Sequence, residues 1–492
     1  MRYHTLNFGA LAAERDIDQG LESYFVESEA FRRVSSGEKT VILGNRGSGK
    51  SAIFKVLGRR ERQRGSIVLE LSPEDFSYDM LAKTLSTESD GAWKKHAAYA
   101  AAWKYLIFVM IMKSLNVRGI RFKTGASEKI HNYLRDNHKE EQHNPIAFMI
   151  SYMKRIDGFK IGPWESGIKA HELARLYKLE EVTPLIPALK ELTAKRRVLI
   201  LVDELDRGWD ASEDAQAFVA GLFQACLAIN SIFRNVRVYM SLRRELHDSI
   251  PTLYDDAQKY RDIIETIAWD ENALLELVAR RIKYSVPELE RCSSRECWAE
   301  VFSDFSGARK ISSFKYIVDR TLHRPREMLQ FCTEALEQSQ RRSAWPIDSS
   351  SIQIAELKYS SDRAKDISSE FRFQFPGLLS VFEAFRGLPL TLERSDLELA
   401  CLGICAGDFH VSNEARWVLD QDPEYLIQVL WKSGFLRAQS LGGGLVAGRS
   451  GAAFVGQYQT EYLDVRNVGR FQIHPMFRSY LGTKDVRNDA VL

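Results

Sequence analysis

Eight consecutive residues, Gly44-Asn45-Arg46-Gly47-Ser48-Gly49-Lys50-Ser51, set three glycines, a lysine and a hydroxyl at a spacing suited to holding phosphate. Glycines let a backbone curl until successive N–H groups point at phosphate oxygens. A helix starting at the end of such a loop adds its positive end. A lysine at position 50 reaches the outer phosphates, and the hydroxyl of Ser51 binds Mg²⁺. The loop together with Ala52 is therefore the expected nucleotide-binding segment, with ATP and Mg²⁺ as the implied ligands and Lys50 also acting on the reacting phosphate.

A second run, Val198-Leu199-Ile200-Leu201-Val202, ends in Asp203 and Glu204. A carboxylate at the end of a buried strand can hold the Mg²⁺ shell, the role expected of Asp203. A second carboxylate beside it can take a proton from an attacking water, which makes Glu204 the candidate base. The run Val236 to Met240 ends in Ser241-Leu242-Arg243-Arg244. If that strand lies beside the loop strand, a polar group at its end senses the terminal phosphate, and Arg243 is the expected one. In His323-Arg324-Pro325-Arg326-Glu327, proline suits the first position of a helix, from which Arg326 would project toward the nucleotide. Arg207 is a candidate for action in trans.

These groups need elements to carry them. Val41-Ile42-Leu43 reads as a short buried strand feeding the loop, and Ile53, Phe54, Val56 and Leu57 as the helix leaving it. Ile67-Val68-Leu69, Val198 to Val202, Val236 to Met240 and Ile264 to Trp269 read as further strands. Val198 to Val202, five apolar residues in a row, fits a central parallel strand covered on both faces. The fold class is thus α/β, a parallel sheet flanked by helices. Asp210 followed by Glu213 reads as a capping box for a helix bearing Phe218, Leu222 and Phe223. The stretch from Ser51 to Asp203 is too long for a compact nucleotide domain and implies a helical insertion. Among the N-terminal aromatics, Tyr24, Phe25 and Phe31 are expected to pack on the nucleotide domain.

The expected division is residues 1–87 with 191–284 as the nucleotide core, 88–190 as the insertion, 285–373 as a helical lid and 374–492 as a winged-helix-like domain. In the last, helices are expected at Pro376–Arg386, Leu392–Cys405 and Pro423–Ser433, with Gly434 as the C-terminal cap. If this domain binds DNA, the third helix enters the major groove by a face of Tyr425, Leu426, Gln428, Val429 and Trp431 with Lys432, and the wing offers Arg449, Arg466 and Arg470. That face is poor in positive charge, which favours a packing role.

Composition narrows the classes. Lys and Arg total 68 against 66 acidic residues, so the chain as a whole is no polycationic nucleic-acid coat. The six cysteines lack metal-ligand spacing and suit a reducing compartment. The most apolar stretch, Ala97 to Met112, is interrupted by Lys104 and reads as a buried helix, so no membrane is expected and the location is cytoplasmic.

The order of the loop, Asp-Glu, Ser-x-Arg and Arg-Pro-Arg resembles the AAA+ and STAND classes of P-loop ATPases. Asp203-Glu204-Leu205-Asp206-Arg207 is similar to the KAP class. The longer string to Asp210, with Ile250-Pro251 and Tyr254-Asp255-Asp256, resembles a bacterial ATPase family with members among anti-phage defence genes. The resemblance implies an ATP-driven switch, a homo-oligomer or a protein effector as partner, and a link to antiviral defence. Two rival readings are a DNA-processing ATPase and a nucleotide-binding scaffold that does not hydrolyse.

Overall fold

The computed structural model describes residues 5–72, 92–116, 125–138, 179–206, 209, 211–250, 260–306, 311–440, 453–460 and 463–484. The chain divides into two compact units. A sheet unit holds Glu27–Asn45 and Gly49–Ile267, and a helical unit holds Met1–Val26, Arg46–Ser48 and Ala268–Leu492.

The sheet unit is built on five parallel strands: β1 (Val41–Leu43), β2 (Ile67–Leu71), β3 (Val198–Val202), β4 (Val236–Leu242) and β5 (Ile264–Thr266). Their spatial order is β2-β3-β4-β1-β5. Every residue of β1 and β3 is buried, as expected for strands covered on both faces. β5 is shorter than the expected strand Ile264 to Trp269, because its ladder to β1 ends with the Ile267 amide on the Leu43 carbonyl at 2.8 Å.

The helix Lys50–Gln63 packs on β2 and β3, and Glu213–Ile232 packs on β4. Against Glu213–Ile232 lies the long helix Ala92–Leu115, whose Trp103 donates from Nε1 to the Phe218 carbonyl at 3.2 Å. Gly221 permits this approach, since a Cβ there would lie 2.6 Å from the Cβ of Tyr99. The apolar stretch around Trp103 is therefore a buried helix. Among the described residues one helix, Glu213–Ile232, is long and apolar enough to cross a membrane, and 61% of its window is buried inside the protein.

The start of Glu213–Ile232 corrects an expectation. Its N-cap is Ser212, whose hydroxyl accepts from the Ala215 amide at 3.2 Å. The capping side chain must sit immediately before the first helical turn, and Asp210 is two residues too early. Asp210 itself lies outside the described residues.

In the helical unit, Glu271–Ser285 starts at an Asp270 cap, Ser294–Val301 at a Ser293/Glu296 capping box, and Pro325–Arg341 with proline in its first turn. Ser349–Glu370 packs along the last of these. The N-terminal segment docks here through a buried ion pair, Arg281 to Asp16 at 2.8 Å, with the Tyr24 hydroxyl donating to the same carboxylate at 2.7 Å. Tyr24 is thus a core residue. Phe31, in the sheet unit, is also buried.

The C-terminal part carries a four-stranded antiparallel sheet of order β6-β9-β7-β8: β6 (Thr391–Glu393), β7 (Leu436–Ser440), β8 (Ala453–Gly456) and β9 (Arg470–Ile473). Leu378–Glu383, Arg394–Ala406 and Pro423–Lys432 are its helices. Leu392 lies in β6, and the second helix begins after it at Arg394, because residues 391–393 pair with β9. Gly434, with φ of 78°, follows the third helix in the left-handed conformation a helix stop demands.

Candidate functional site

All five strands run parallel, so the loops after β1, β3 and β4 emerge at one edge of the sheet. β1 is neighbour to β4 while its chain continues through a helix to β2 at the far end. Crevices at such reversals of strand order are where open α/β sheets bind ligands.

The loop after β1 is anchored by the Gly44 amide donating to the Leu242 carbonyl at 3.3 Å. Gly49 has φ of 101° and caps the helix Lys50–Gln63. A side chain at that φ would strain the backbone, so glycine is required where the loop becomes helix. The Lys50 ammonium donates to the carbonyls of Gly44 at 2.6 Å and Asn45 at 3.1 Å. Burial pulls its pKa down to about 8, against the support of Glu245 and Asp203 and with the opposition of Arg243. A phosphate group would restore the stabilisation of positive charge that burial removes.

At the ends of β3 and β4 the carboxylate of Asp203 accepts from the Ser241 hydroxyl and, at 2.9 Å, from the Glu204 amide. Glu204 has φ of 60°, a left-handed conformation that a residue with a side chain adopts at a cost of about 1–2 kcal/mol. The Asp203 bond and the Ser72 hydroxyl on Glu204 Oε2 hold it there. Strain of this kind clusters at functional sites. Arg243 forms an ion pair with Asp206.

Arg46–Ser48 of the loop pack within the helical unit. The Arg326 amide donates to the Gly47 carbonyl at 3.3 Å, Arg324 Nη1 to the Arg46 carbonyl at 3.3 Å, and Trp269 Nε1 to the Ser48 carbonyl at 2.8 Å. A Cβ on Gly47, whose φ is 80°, would meet the Cβ of Arg326 at 3.0 Å. Arg324 is itself held by Glu370 at 2.7 Å. The Ser48 hydroxyl is buried and has no hydrogen-bond partner, a deficit that a phosphate oxygen would relieve.

The structure thus gathers Lys50, Asp203, Glu204 and Arg243 in the sheet unit, and sets the backbone of Arg326 against Gly47 in the helical unit. Arg207 lies outside the described residues. The sequence reading missed Ser241, Asp206, Ser72, Glu245 and Arg324. Ser241 was legible as the polar residue that breaks the apolar strand β4 next to its end, two positions before Arg243. The others depend on contacts far apart in the chain. Among the described residues no cluster of three or more His, Cys, Asp or Glu is disposed to hold a metal, and all six cysteines are free thiols, five of them buried.

The C-terminal candidates fare differently. Leu426, Val429 and Trp431, expected on a DNA-facing surface, are buried core residues. An amphipathic helix turns its apolar stripe inward, which leaves Tyr425, Gln428 and Lys432 outside. Arg466 pairs with Asp464 at 2.9 Å, and Arg470 pairs with Glu393. Arg449 lies outside the described residues. His474 is fully buried, accepting from the Met476 amide at 3.1 Å, and is a packed histidine.

Comparisons with known proteins add relatives. Residues 272–368 match the family model of the FunZ-associated C-terminal helical domain, the stretch folded as the helices from Glu271–Ser285 to Ser349–Glu370. The chain is 24% identical over 438 residues, 88% of its length, to the putative transposon gamma-delta 80.3 kDa protein of Escherichia coli (strain K12), and spans 60% of that protein. It is 28% identical over 120 residues, 24% of its length, to Allergen Alt a 2 of Alternaria alternata, and spans 62% of that protein. The solved structure of the Aeropyrum pernix ORC2 protein in its ADPNP–ADP complexes aligns over 96% of this chain and 95% of its own, at 11% identity and a TM-score of 0.29. A superposition that loose carries no argument.

Proposed function

We propose that the chain is a P-loop ATPase of AAA+/STAND character, in which binding and hydrolysis of Mg-ATP drive a conformational switch that controls a partner. The observation that carries this reading is the strand-end cluster. Lys50 lies at the start of the loop helix, and Asp203 is gripped by Ser241 beside a backbone-strained Glu204.

In this reading the loop amides from Asn45 to Ser51 and the Lys50 ammonium bind the phosphates. Ser51 and Asp203 would hold Mg²⁺, which neutralises charge on the phosphate oxygens when bound. Glu204 takes the proton of a water whose oxygen attacks the terminal phosphorus, and the bond to the leaving phosphate breaks in the same displacement. Ser241 orients Asp203, Ser72 orients Glu204, and Asp206 positions Arg243. Arg326, starting from its seat on Gly47, acts on the bound nucleotide. The intact Asp203-Glu204 pair speaks against a scaffold that does not hydrolyse. A cytoplasmic setting, an effector partner or self-assembly, and a role in antiviral defence belong to the same proposal and rest on the resemblance in the motifs.

A DNA-processing reading, with residues 374–492 as a winged helix, is favoured by one observation, the transposon name of a relative. The paired arginines and the buried face of the third helix weigh against it. The deciding experiment is ATP turnover of purified protein with and without duplex DNA, with Lys50→Ala as the blank. Turnover that Lys50→Ala abolishes supports the ATPase. Stimulation by DNA would move the conclusion to the second reading, and turnover equal to the blank would overturn the first.

A further inference from the structure

The helix Arg394–Ala406 presents large apolar side chains to the outside. Leu399 is 69% exposed and Leu402 51%. Three residues apart, they share one helix face. With Pro423 they line an open groove of ≈ 380 Å³ against the start of the helix Pro423–Lys432, with Ser395, Glu398, Asp422 and Glu424 completing the walls. Phe409, 40% exposed, extends the apolar surface by lying over Gly403, where a Cβ would meet its ring at 2.9 Å. Contiguous exposed apolar surface with a polar rim marks an interaction site.

The charge around the groove selects the occupant. Between Arg394 and Tyr425 the chain carries seven acidic residues and two arginines, although its overall balance is slightly positive. In the groove itself three carboxylates, Glu398, Asp422 and Glu424, stand against one arginine, Arg394, which bridges Glu398 and Glu424, so the rim stays net negative. A second copy meeting this face through the same surface would set carboxylates against carboxylates. Duplex DNA would be repelled by them. A segment with leucine-sized anchors on one side and lysine or arginine beside them satisfies both the floor and the rim.

We propose that the groove between the helices Arg394–Ala406 and Pro423–Lys432 docks a cationic amphipathic helix of a partner protein. It supplies the partner contact that the ATPase reading requires but does not depend on that reading, since none of its residues belongs to the nucleotide loop.

The test uses the full chain and a fluorescent peptide of about 14 residues, roughly four helical turns, with leucine at positions i, i+3, i+4 and i+7 and lysine elsewhere. A twin peptide carries glutamate for lysine. Fluorescence anisotropy is expected to show binding of the lysine peptide, weaker in high salt, and none of the twin. The double variant Leu399→Ser/Leu402→Ser keeps every carboxylate and removes only exposed side chains. It should bind about tenfold more weakly or worse, with an unchanged thermal melt. Lys50→Ala should bind the peptide as the parent does, so that loss of ATPase activity and loss of docking are separate failures. Equal binding of the twin overturns the proposal, as does equal binding by the double variant, which would mean attraction by charge alone. Displacement of the peptide by a duplex oligonucleotide, or self-association of the parent that the double variant loses, would overturn it in favour of DNA or a second copy.

Discussion

The parallel sheet and the C-terminal part hold their charged side chains differently. At the carboxyl edge of the parallel sheet, a lysine is buried until its pKa falls to about 8 and a glutamate sits at φ of 60°. In the C-terminal part Arg437 donates from Nη2 to the Asp319 carbonyl at 2.7 Å while its buried Nε has no partner, and the exposed Arg466 and Arg470 are paired with acids. A buried lysine short of anionic partners is held ready for an anion, whereas arginines already paired with acids have their charge met. The proposed ATPase reading places its chemistry in the first region, and the contrast between the two regions can be tested.

That contrast can be broken most directly at Glu204. Glu204→Gln keeps the shape of the side chain and removes the base, so turnover should fall by about 100-fold or more while nucleotide affinity persists. Single-turnover hydrolysis alongside nucleotide binding reads both, and unchanged turnover would remove Glu204 from the mechanism.

Lys50 offers a pH test. Below about pH 8 its ammonium is charged in the free protein. Above that value the proton is lost, and binding a phosphate must take one up again. Affinity for ATP should therefore fall as pH rises past 8, by up to about tenfold per unit. Calorimetry in buffers of different ionisation heat should report proton uptake on binding at pH 9 and little at pH 7. A flat affinity profile from pH 7 to 9.5 would mean the ammonium does not meet the nucleotide.

A smaller effect is expected at Ser241. Ser241→Ala removes one hydrogen bond to Asp203, worth about 1 kcal/mol, and should lower turnover roughly fivefold. Titration of Mg²⁺ should show the loss as a weaker metal requirement curve, and wild-type behaviour would make Ser241 a packing residue. The smallest effect belongs to the C-terminal part. Arg466→Gln with Arg470→Gln should leave DNA binding and its salt slope unchanged, because exposed ion pairs contribute little and neither side chain is engaged with phosphate. A salt slope reduced by about two would reverse the comparison.

Much of the candidate site was readable along the chain because its parts are local. Gly44 to Ser51 is one contiguous stretch, and the buried run Val198 to Val202 announces Asp203 and Glu204 directly. Helix ends marked by Pro325 and Gly434 were equally plain, since each residue constrains its own backbone. The cap at Ser212 was misread because two acidic residues at a capping-box spacing competed with a serine set one residue before the helix. Leu392 was misread because its pairing partner, Phe471, is far along the chain.

What the sequence alone determined is the α/β class, the glycine-rich loop between strand and helix, the acidic strand end and the run of helices that follows. Local backbone preference and hydrophobic period encode all of these within a few residues. Only the tertiary structure decided that Ser241 grips Asp203, that Arg243 is paired with Asp206, that Arg324 holds the Arg46 carbonyl, and that the outward face of Arg394–Ala406 is apolar under an acidic rim. Those facts depend on strand order and helix packing, which join residues by distance in space, and no window of sequence carries that information.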